Sequence, residues 1–192
     1  MNARADDSMS SLANHLLVAM PGLGDRNFNE TVTLLCEHNA EGALGIVINR
    51  PTELTLGDLA QHMELEVADL EAAERPVLSG GPVQVDHGFV LHEPLGDWES
   101  TLRVTETLGL TTSRDVLAAI LAGAGPERWL IALGYAGWGP GQLEQELAQN
   151  AWLTVPADRE LIFETPFEAR WQETAARLGV DLKLIAGEAG HA

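Results

Sequence analysis

One apolar segment, residues 128–135, constrains the fold more than any other part of the chain. Its side chains form a nearly continuous apolar run, which predicts a strand buried on both faces, so other structure has to cover both of its sides. The run leads into a glycine-rich stretch, residues 134–141, and then into a predicted helix at residues 142–150. A buried strand, a tight turn and a helix therefore follow one another in the fold.

In the rest of the chain, the sequence predicts mainly strands in the first half and several short, separate helices in the second half. Further strands are predicted at residues 15–20, 31–38, 43–49, 76–79, 88–92, 102–105, 160–163 and 181–185, and further helices at residues 56–63, 113–123 and 166–178. Because strands and helices do not alternate regularly, this order predicts an α+β fold with a largely antiparallel sheet. We expect one domain over residues 1–192, with a frayed N-terminus at residues 1–11 and a C-terminal tail at residues 187–192.

The charge of the chain is strongly negative. Ten arginines and one lysine face 29 carboxylates, which gives a formal net charge of −18, and no two basic residues are adjacent. DNA binding depends on cations that neutralise phosphates, and a field this negative repels polyanions and anionic membranes. We therefore predict no direct DNA binding, unless the fold gathers scattered arginines into one patch. The candidates for such a patch are Arg26, Arg50, Arg75, Arg103 and Arg114.

Sequence features also bear on the compartment. The N-terminus has no basic start followed by the apolar stretch of about 7–15 residues that marks a signal peptide. No apolar run approaches the ~20 residues that span a bilayer. The single cysteine, Cys36, cannot form an internal disulfide. We expect a cytoplasmic protein without a membrane segment.

Cys36-Glu37-His38 places a nucleophile and a base close together in sequence. On a regular strand their side chains share one face at about 6.5–7 Å, too far for the ~2.6–3.2 Å contact of a catalytic pair. A buried structural cysteine is therefore the better interpretation. His38, His87 and His92 could contribute to a metal site, but no spacing selects them. We predict no catalytic residue, no metal and no cofactor.

The glycine-rich stretch has two interpretations. A strand, a glycine turn and a helix can present backbone N–H groups to an anion, but this stretch lacks the lysine and hydroxyl of a P-loop. Glu144 and Glu146 would also occupy the positive end of the helix. We prefer a tight turn in which Trp138 fills the core.

A ligand-binding or partner-binding site, if the fold forms one, is predicted from five residues. They are Asn49, Arg50, His92, Trp138 and Gln142. The loops Asn49-Arg50-Pro51 and Gly80-Gly81-Pro82 have special backbone requirements and could border a pocket with Trp138. A turn role alone is the alternative for each loop.

Blocks spread in order over nearly the whole chain resemble the AlgH/YqgE family. The blocks are Met20-Pro21-Gly22-Leu23, Cys36-Glu37-His38-Asn39, residues 42–51, Gly80-Gly81-Pro82-Val83, and residues 88–92, 112–117, 134–146, 150–154 and 189–192. The resemblance implies a strongly bent or branched sheet with a small barrel-like part, surrounded by helices, in a cytosolic bacterial protein. Members of the family are described as uncharacterised or as proposed transcriptional regulators linked to alginate production, so no catalytic residue is carried over.

Two kinds of function remain open at this point. The first is a non-catalytic regulatory or interaction role that operates through a protein partner or a small metabolite, with any effect on transcription indirect. The alternative is a small-molecule-binding protein or an enzyme with a site near the turn at residues 137–142. An enzymatic role is the less favoured of the two.

Overall fold

The structure, a computed structural model, describes residues 10–188. The predicted frayed N-terminus up to residue 9, and the predicted tail and family block from residue 189 onward, lie outside the described residues. The strands are β1 His15–Ala19, β2 Val32–Asn39, β3 Gly42–Val47, β4 Pro51–Thr55, β5 Pro76–Ser79, β6 Val83–Glu93, β7 Thr101–Arg103, β8 Gly109–Thr111, β9 Arg128–Trp138 and β10 Trp152–Pro156.

The α-helices are short and mostly lie between or after the strands. They are α1 Leu56–His62, α2 Leu70–Ala73, α3 Arg114–Leu121, α4 Gln142–Ala148, α5 Arg170–Ala176 and α6 Leu182–Glu188. A π-helical turn at Glu160–Glu164 and a 3-10 turn at Phe167–Ala169 precede α5. None of the helices among residues 10–188 has both the length and the apolar composition that crossing a bilayer requires.

The strands form a branched, mostly antiparallel sheet in the order β10-β1-β2-β3-β9-β6-β8-β7. The branch lies at β9, which pairs with β3 near its end and in parallel with β5 nearer its start, while β6 runs along its other edge. β4 extends the branch by pairing with β5. The sheet curls into a half-barrel flanked by helices, which confirms the predicted α+β fold with a strongly bent antiparallel sheet.

A glycine in the middle of β9 produces a close crossing of two backbones. Gly134 has a φ of 78°, and a Cβ atom there would lie 2.3 Å from the carbonyl oxygen of Gly81. A Cβ atom on Gly80 would in turn lie 2.4 Å from the carbonyl oxygen of Gly134. No side chain fits between these segments, so the two glycine-containing stretches of the sequence meet at one point of the sheet.

The core consists of three clusters that the sheet separates. The first packs under α5, α6 and the π-helical turn, the second under α1, α2 and α3, and the third beside α4. In β9, Leu130 and Ala132 belong to the first cluster, and Trp129 and Ile131 to the second. The strand is therefore covered on both faces, as its continuous apolar run predicts.

Two predicted strands are wrong, because residues 160–163 form the π-helical turn and residues 181–185 lie mostly in α6. In each case an aspartate accepts a backbone N–H bond that starts a helical turn: Asp158 from Leu161 at 2.8 Å, and Asp181 from Lys183 at 3.0 Å. Short apolar runs do not by themselves distinguish a strand from a helix. The local sequence patterns predict no strand at β4, β8 or β10.

Candidate functional site

Trp138 lies at the end of β9 and is 6% exposed. Its ring packs against Trp152 and Phe28, with ring centroids 6.1 Å away in both pairs. Together with Leu143 of α4, these rings form the centre of the third core cluster. Trp138 therefore fills the core, although one edge borders a surface cavity described below.

One carboxylate ties the two tryptophans to α4. Oε2 of Glu146 accepts hydrogen bonds from the indole N–H of Trp138 at 2.7 Å and from that of Trp152 at 2.9 Å. Nε2 of Gln142, one turn earlier on α4, approaches the other carboxylate oxygen at 3.4 Å. The indole donors are thus satisfied inside the protein.

Gln142 has a local structural role at the start of α4. Its Oε1 accepts the backbone N–H of Gly139 at 3.0 Å, which closes the glycine-rich turn onto the helix. Gly141, at the N-cap position, has a φ of 72° and no side chain to cap the helix. The side chain of Gln142 therefore fixes the turn that precedes the helix, while the first N–H groups of α4 receive no side-chain cap.

A second link to α4 joins residues 106 positions apart, and sequence reasoning missed it. Nε2 of His38 contacts Oε1 of Glu144 at 2.5 Å, and the backbone N–H of Leu12 donates to Nδ1 of His38 at 2.9 Å. Because Nδ1 accepts, the proton of the neutral ring is on Nε2 and points to the carboxylate. This hydrogen bond from His38 lowers the pKa of Glu144 below its ordinary value.

Cys36 does not share a face with His38, because a β-bulge interrupts β2 between Leu35 and Glu37. Cys36 is 3% exposed and belongs to the first core cluster, whereas His38 is bonded to α4. Burial raises the pKa of the Cys36 thiol to about 12, so it is protonated at neutral pH. The two residues form no nucleophile–base pair.

A shallow cavity of about 250 Å³ lies beside Trp138 at the turn between β2 and β3. Glu37, Asn39 and Glu41 form its polar rim, and Leu44 and Trp138 contribute apolar surface. The rim carboxylates make no ion pair within the described part of the chain. Such a cavity suits a small cationic group rather than an anion.

Asn49 and Arg50 lie together at a different cavity of about 440 Å³, which Phe167 and Trp171 also line. The side-chain oxygen of Asn49 accepts the backbone N–H of Val32 at 2.9 Å. The Arg50 guanidinium donates to the carbonyl oxygens of Asn27 at 2.5 Å and Asn29 at 2.8 Å. Both side chains hold neighbouring loops in place.

His92 is fully buried in β6 and borders neither of these cavities. Its Nδ1 donates to the carbonyl oxygen of Pro94 at 3.0 Å, and its Nε2 accepts from the Thr111 hydroxyl at 2.6 Å. Burial lowers the pKa of His92, which favours the neutral ring that these bonds require. The structure thus brings Trp138 together with Gln142, and Asn49 with Arg50, and places His92 apart from both pairs.

The arginines named as candidates for a basic patch lie on different elements: Arg50, Arg75 and Arg114 are bound to nearby carbonyl oxygens, and Arg26 is exposed in the loop before β2. Arg75 donates to the carbonyl oxygen of Trp129 at 2.7 Å, and Arg114 donates to that of Met63 at 2.5 Å. Arg103 is exposed on β7. No group of three histidine, cysteine, aspartate or glutamate side chains in the described residues converges on a point where a metal ion would fit.

In a comparison with known families, the AlgH-like family, DUF179, matches residues 16–183. A UPF0301 protein of Nitrosococcus oceani is 56% identical over 185 residues, which cover 96% of this chain and 99% of that protein. A UPF0301 protein of Thioalkalivibrio sulfidiphilus is 59% identical over 183 residues, covering 95% and 98% of the two chains.

The solved structures with similar folds include one from Pseudomonas aeruginosa and one from Corynebacterium diphtheriae. The solution structure of the AlgH protein from Pseudomonas aeruginosa has a TM-score of 0.78 and 50% sequence identity, with full coverage of both chains. The crystal structure of protein DIP2367 from Corynebacterium diphtheriae has a TM-score of 0.70 over 90% of each chain. At 19% identity, this second similarity concerns the fold alone.

Proposed function

The chain belongs to the AlgH-like family, and we propose that it works in the cytoplasm by non-covalent binding of a protein partner that carries apolar and basic side chains. In this proposal any effect on transcription is indirect and passes through that partner. The observation that carries the proposal is an acidic segment, residues 64–74, that exposes large apolar side chains to solvent.

The acidic segment combines exposed apolar area with negative charge. Leu70, at the start of α2, is 73% exposed, and Val67 is 38% exposed. The carboxylates of the segment are Glu64, Glu66, Asp69, Glu71 and Glu74. No ion pair joins any of them to another described residue. Apolar surface rimmed by charge is typical of a protein interaction site, and its sign selects a basic partner.

The segment is held in a defined position on the protein. The backbone N–H groups of Ala68 and Asp69 donate to the carbonyl oxygen of Leu121, at the end of α3, at 2.9 and 2.8 Å. The Asp69 side chain accepts the backbone N–H of Ala72 at 3.0 Å and caps α2. A surface that is ordered before binding loses less conformational entropy when it binds, which favours affinity.

The cavity beside Trp138 favours a second candidate function, the binding of a small cationic metabolite. Glu37 and Glu41 at its rim supply the charge, and the edge of Trp138 supplies an aromatic surface. In that case Glu41→Gln would weaken ligand binding, while substitutions in the acidic segment would leave it unchanged. Thermal-shift screening of small amines and guanidines on wild-type and Glu41→Gln protein tests this candidate.

Site-specific photo-crosslinking in cells tests the protein-partner proposal. A benzophenone amino acid at position 70 is expected to capture a defined protein. The same probe at position 184 is the matched control, because Leu184 is 71% exposed but lies on α6, outside the acidic segment. The captured protein, once purified, is expected to bind the wild-type chain directly.

Charge reversal in the acidic segment separates specific binding from adventitious capture. Glu66→Lys with Glu71→Lys is expected to abolish the adduct at position 70 and direct binding of the purified partner. Adducts of equal yield at positions 70 and 184, or an adduct that survives the charge reversal, would refute the proposed surface.

A further inference from the structure

Two arginines with aromatic partners line one cavity on the side of the sheet near α5. Arg75, just before β5, and Arg170, at the start of α5, both contribute to a cavity of about 250 Å³. Trp129 and Phe167 form aromatic walls of this cavity, and Glu164 lies at its exposed edge. Neither arginine belongs to the acidic segment, although the charge of Glu71 in that segment acts on Arg75, and the inference drawn here does not rest on the proposed protein-binding function.

Each guanidinium is stacked on a ring and bonded only to backbone oxygens. The Arg75 guanidinium carbon lies 3.9 Å from the ring centroid of Trp129, and that of Arg170 lies 4.5 Å from the ring centroid of Phe167. Arg75 donates through Nη2 to the carbonyl oxygen of Trp129. Arg170 donates through Nε to Thr165 at 2.8 Å and through Nη1 to Ile48 at 2.5 Å.

These bonds leave most of the donor capacity unused. A guanidinium has five N–H donors. Within residues 10–188, Arg75 uses one nitrogen and Arg170 uses two. Arg170 is 2% exposed, but its Nη2, which has no hydrogen-bond partner, is not among the fully enclosed polar atoms, so it is open to the cavity. Donors of a desolvated cation that face a cavity are available to an acceptor that enters it, and a charged acceptor binds them more strongly than water does.

The two positive charges also lack a counter-ion in the described part of the chain. No carboxylate there lies within 4.0 Å of either guanidinium, although the chain as a whole has a net charge of −18. Burial and the neighbouring Arg75 lower the pKa of Arg170 to about 10, which still leaves it charged at neutral pH. Burial also lowers the pKa of Arg75, and the charge of Glu71 opposes that effect.

We propose that the cavity between Arg75 and Arg170 binds a small organic anion, whose carboxylate or phosphate group accepts hydrogen bonds from the two guanidiniums. The aromatic and aliphatic walls, which include Trp129, Leu130 and Phe163, contact the apolar part of the ligand. The volume limits that ligand to a size below that of a typical drug molecule. A guanidinium is well suited to the head group because its planar N–H pairs match two anionic oxygens.

Glu164 is the one carboxylate that lines this cavity among the described residues. Its side chain is 57% exposed, and its Oε1 lies 4.0 Å from Nε of Arg128. Arg128 and solvent therefore screen part of its charge, and the remainder weakens anion binding. Removing that charge is expected to tighten the complex, which provides a test in the opposite direction to removal of an arginine.

Titration with defined probes, followed by NMR of the indole and guanidinium N–H signals, tests the proposal. Benzoate and phenyl phosphate represent the two head groups, benzyl alcohol is the neutral analogue, and inorganic phosphate lacks the apolar part. We expect benzoate or phenyl phosphate to shift the Trp129 indole signal and saturate. Benzyl alcohol and inorganic phosphate are expected to bind at least about tenfold more weakly, since each lacks one of the two interactions.

Three variants locate the binding in the cavity. Arg75→Gln is expected to weaken binding of the organic anion by about tenfold or more, as the loss of a charge-assisted hydrogen bond predicts. Arg103→Gln removes the same charge from an exposed position outside the cavity and is expected to bind as the wild type does. Glu164→Gln is expected to bind two- to threefold more tightly, an order-of-magnitude estimate for a screened charge.

Specific outcomes would overturn the proposal. They are equal binding of benzoate and benzyl alcohol, equal binding of inorganic phosphate and the organic anions, or equal weakening in Arg75→Gln and Arg103→Gln. Failure of wild-type protein to bind either organic anion at millimolar concentration would also overturn it. If Arg75→Gln does not fold, Glu164→Gln decides: tighter binding supports the site, and unchanged or weaker binding refutes it.

Discussion

Trp138 is fixed by two independent interactions. Its ring packs against Phe28 and Trp152, and its indole N–H donates to Glu146. The preference for a core-filling tryptophan could be derived from the sequence, because glycines on both sides allow a sharp turn. The partner Glu146 could not, since that carboxylate was assigned to the helix start and not to an indole.

Trp138→Ala is expected to lower the free energy of unfolding by ~3–5 kcal/mol, as truncation of a large buried aromatic side chain does. Gln142→Ala removes the bond from Gly139 and is expected to cost about 1 kcal/mol. Urea unfolding measures both values. Gln145→Ala is the matched control, because Gln145 lies exposed on the same helix. A loss below about 1 kcal/mol in Trp138→Ala would contradict its role in the core.

Cys36 is expected to react with iodoacetamide only when the protein opens. Burial raises the pKa of the thiol to about 12, so at pH 8 the reactive thiolate is scarce as well as inaccessible. Labelling followed by mass spectrometry is expected to be slow in buffer and fast in denaturing urea. Equal rates in the two conditions would show that the thiol is accessible in the native state.

Among the secondary-structure elements, the sequence predicts correctly those strands whose ends are set by neighbouring turn residues. The predicted strand at Pro76–Ser79 has the observed bounds, and the predicted strand at residues 15–20 exceeds the observed His15–Ala19 by one residue, because turn residues limit both runs. The wrong strand at residues 160–163 and the unassigned β10 have another cause. Whether such a short apolar run pairs with a sheet depends on a partner strand far away in sequence, as β10 with β1.

The hydrogen bond between β2 and α4 shows that side-chain contacts between distant residues also cannot be predicted from local sequence patterns. His38 and Glu144 are 106 residues apart, and a bulge in β2 turns His38 away from Cys36. Neither the pairing nor the bulge has a signal in the local sequence. The five predicted site residues show this dependence on sequence distance. The structure brings together the pairs that are close in sequence, Trp138 with Gln142 and Asn49 with Arg50. It does not bring these two pairs and His92 into one site.

Glu144→Gln is expected to destabilise the protein at neutral pH and not in acid. The hydrogen bond from His38 makes the pKa of Glu144 lower in the folded than in the unfolded chain, so ionisation favours folding. This contribution is present above the ordinary pKa of 4.5 and is lost as the pH falls through the lowered folded-state pKa.

Urea unfolding of wild-type and Glu144→Gln protein between pH 7 and pH 3 measures this dependence. The difference in unfolding free energy is expected to shrink toward the acid end. Glu41→Gln, at an exposed position in the turn between β2 and β3, is the control and is expected to show little difference across the range. A difference for Glu144→Gln that grows on acidification would contradict the assigned hydrogen bond.

At the scale of the whole molecule, most of the arginines described next bind carbonyl or carboxylate oxygens of the protein itself. Arg50, Arg75 and Arg114 donate to backbone carbonyl oxygens. Others pair with carboxylates, as Arg177 does with Asp158 at 3.2 Å. The surface therefore keeps the negative character that a net charge of −18 implies, and the candidate arginines for a basic patch lie on separate elements, with Arg26 and Arg103 exposed singly.

This charge distribution predicts that the protein does not bind duplex DNA usefully at physiological salt. Because residues 10–188 display no basic surface, few counter-ions would be released from the duplex, and counter-ion release supplies most of the affinity of non-specific binding. Fluorescence anisotropy with a labelled duplex at about 0.15 M salt is expected to give a dissociation constant weaker than ~1 µM, the tight end of the non-specific range. A variant with Glu64→Lys, Glu66→Lys and Glu71→Lys adds three positive charges to one surface and is expected to bind more tightly, with a steeper salt dependence. Submicromolar, sequence-specific binding by the wild-type chain would contradict the prediction and would require a basic surface that residues 10–188 do not display.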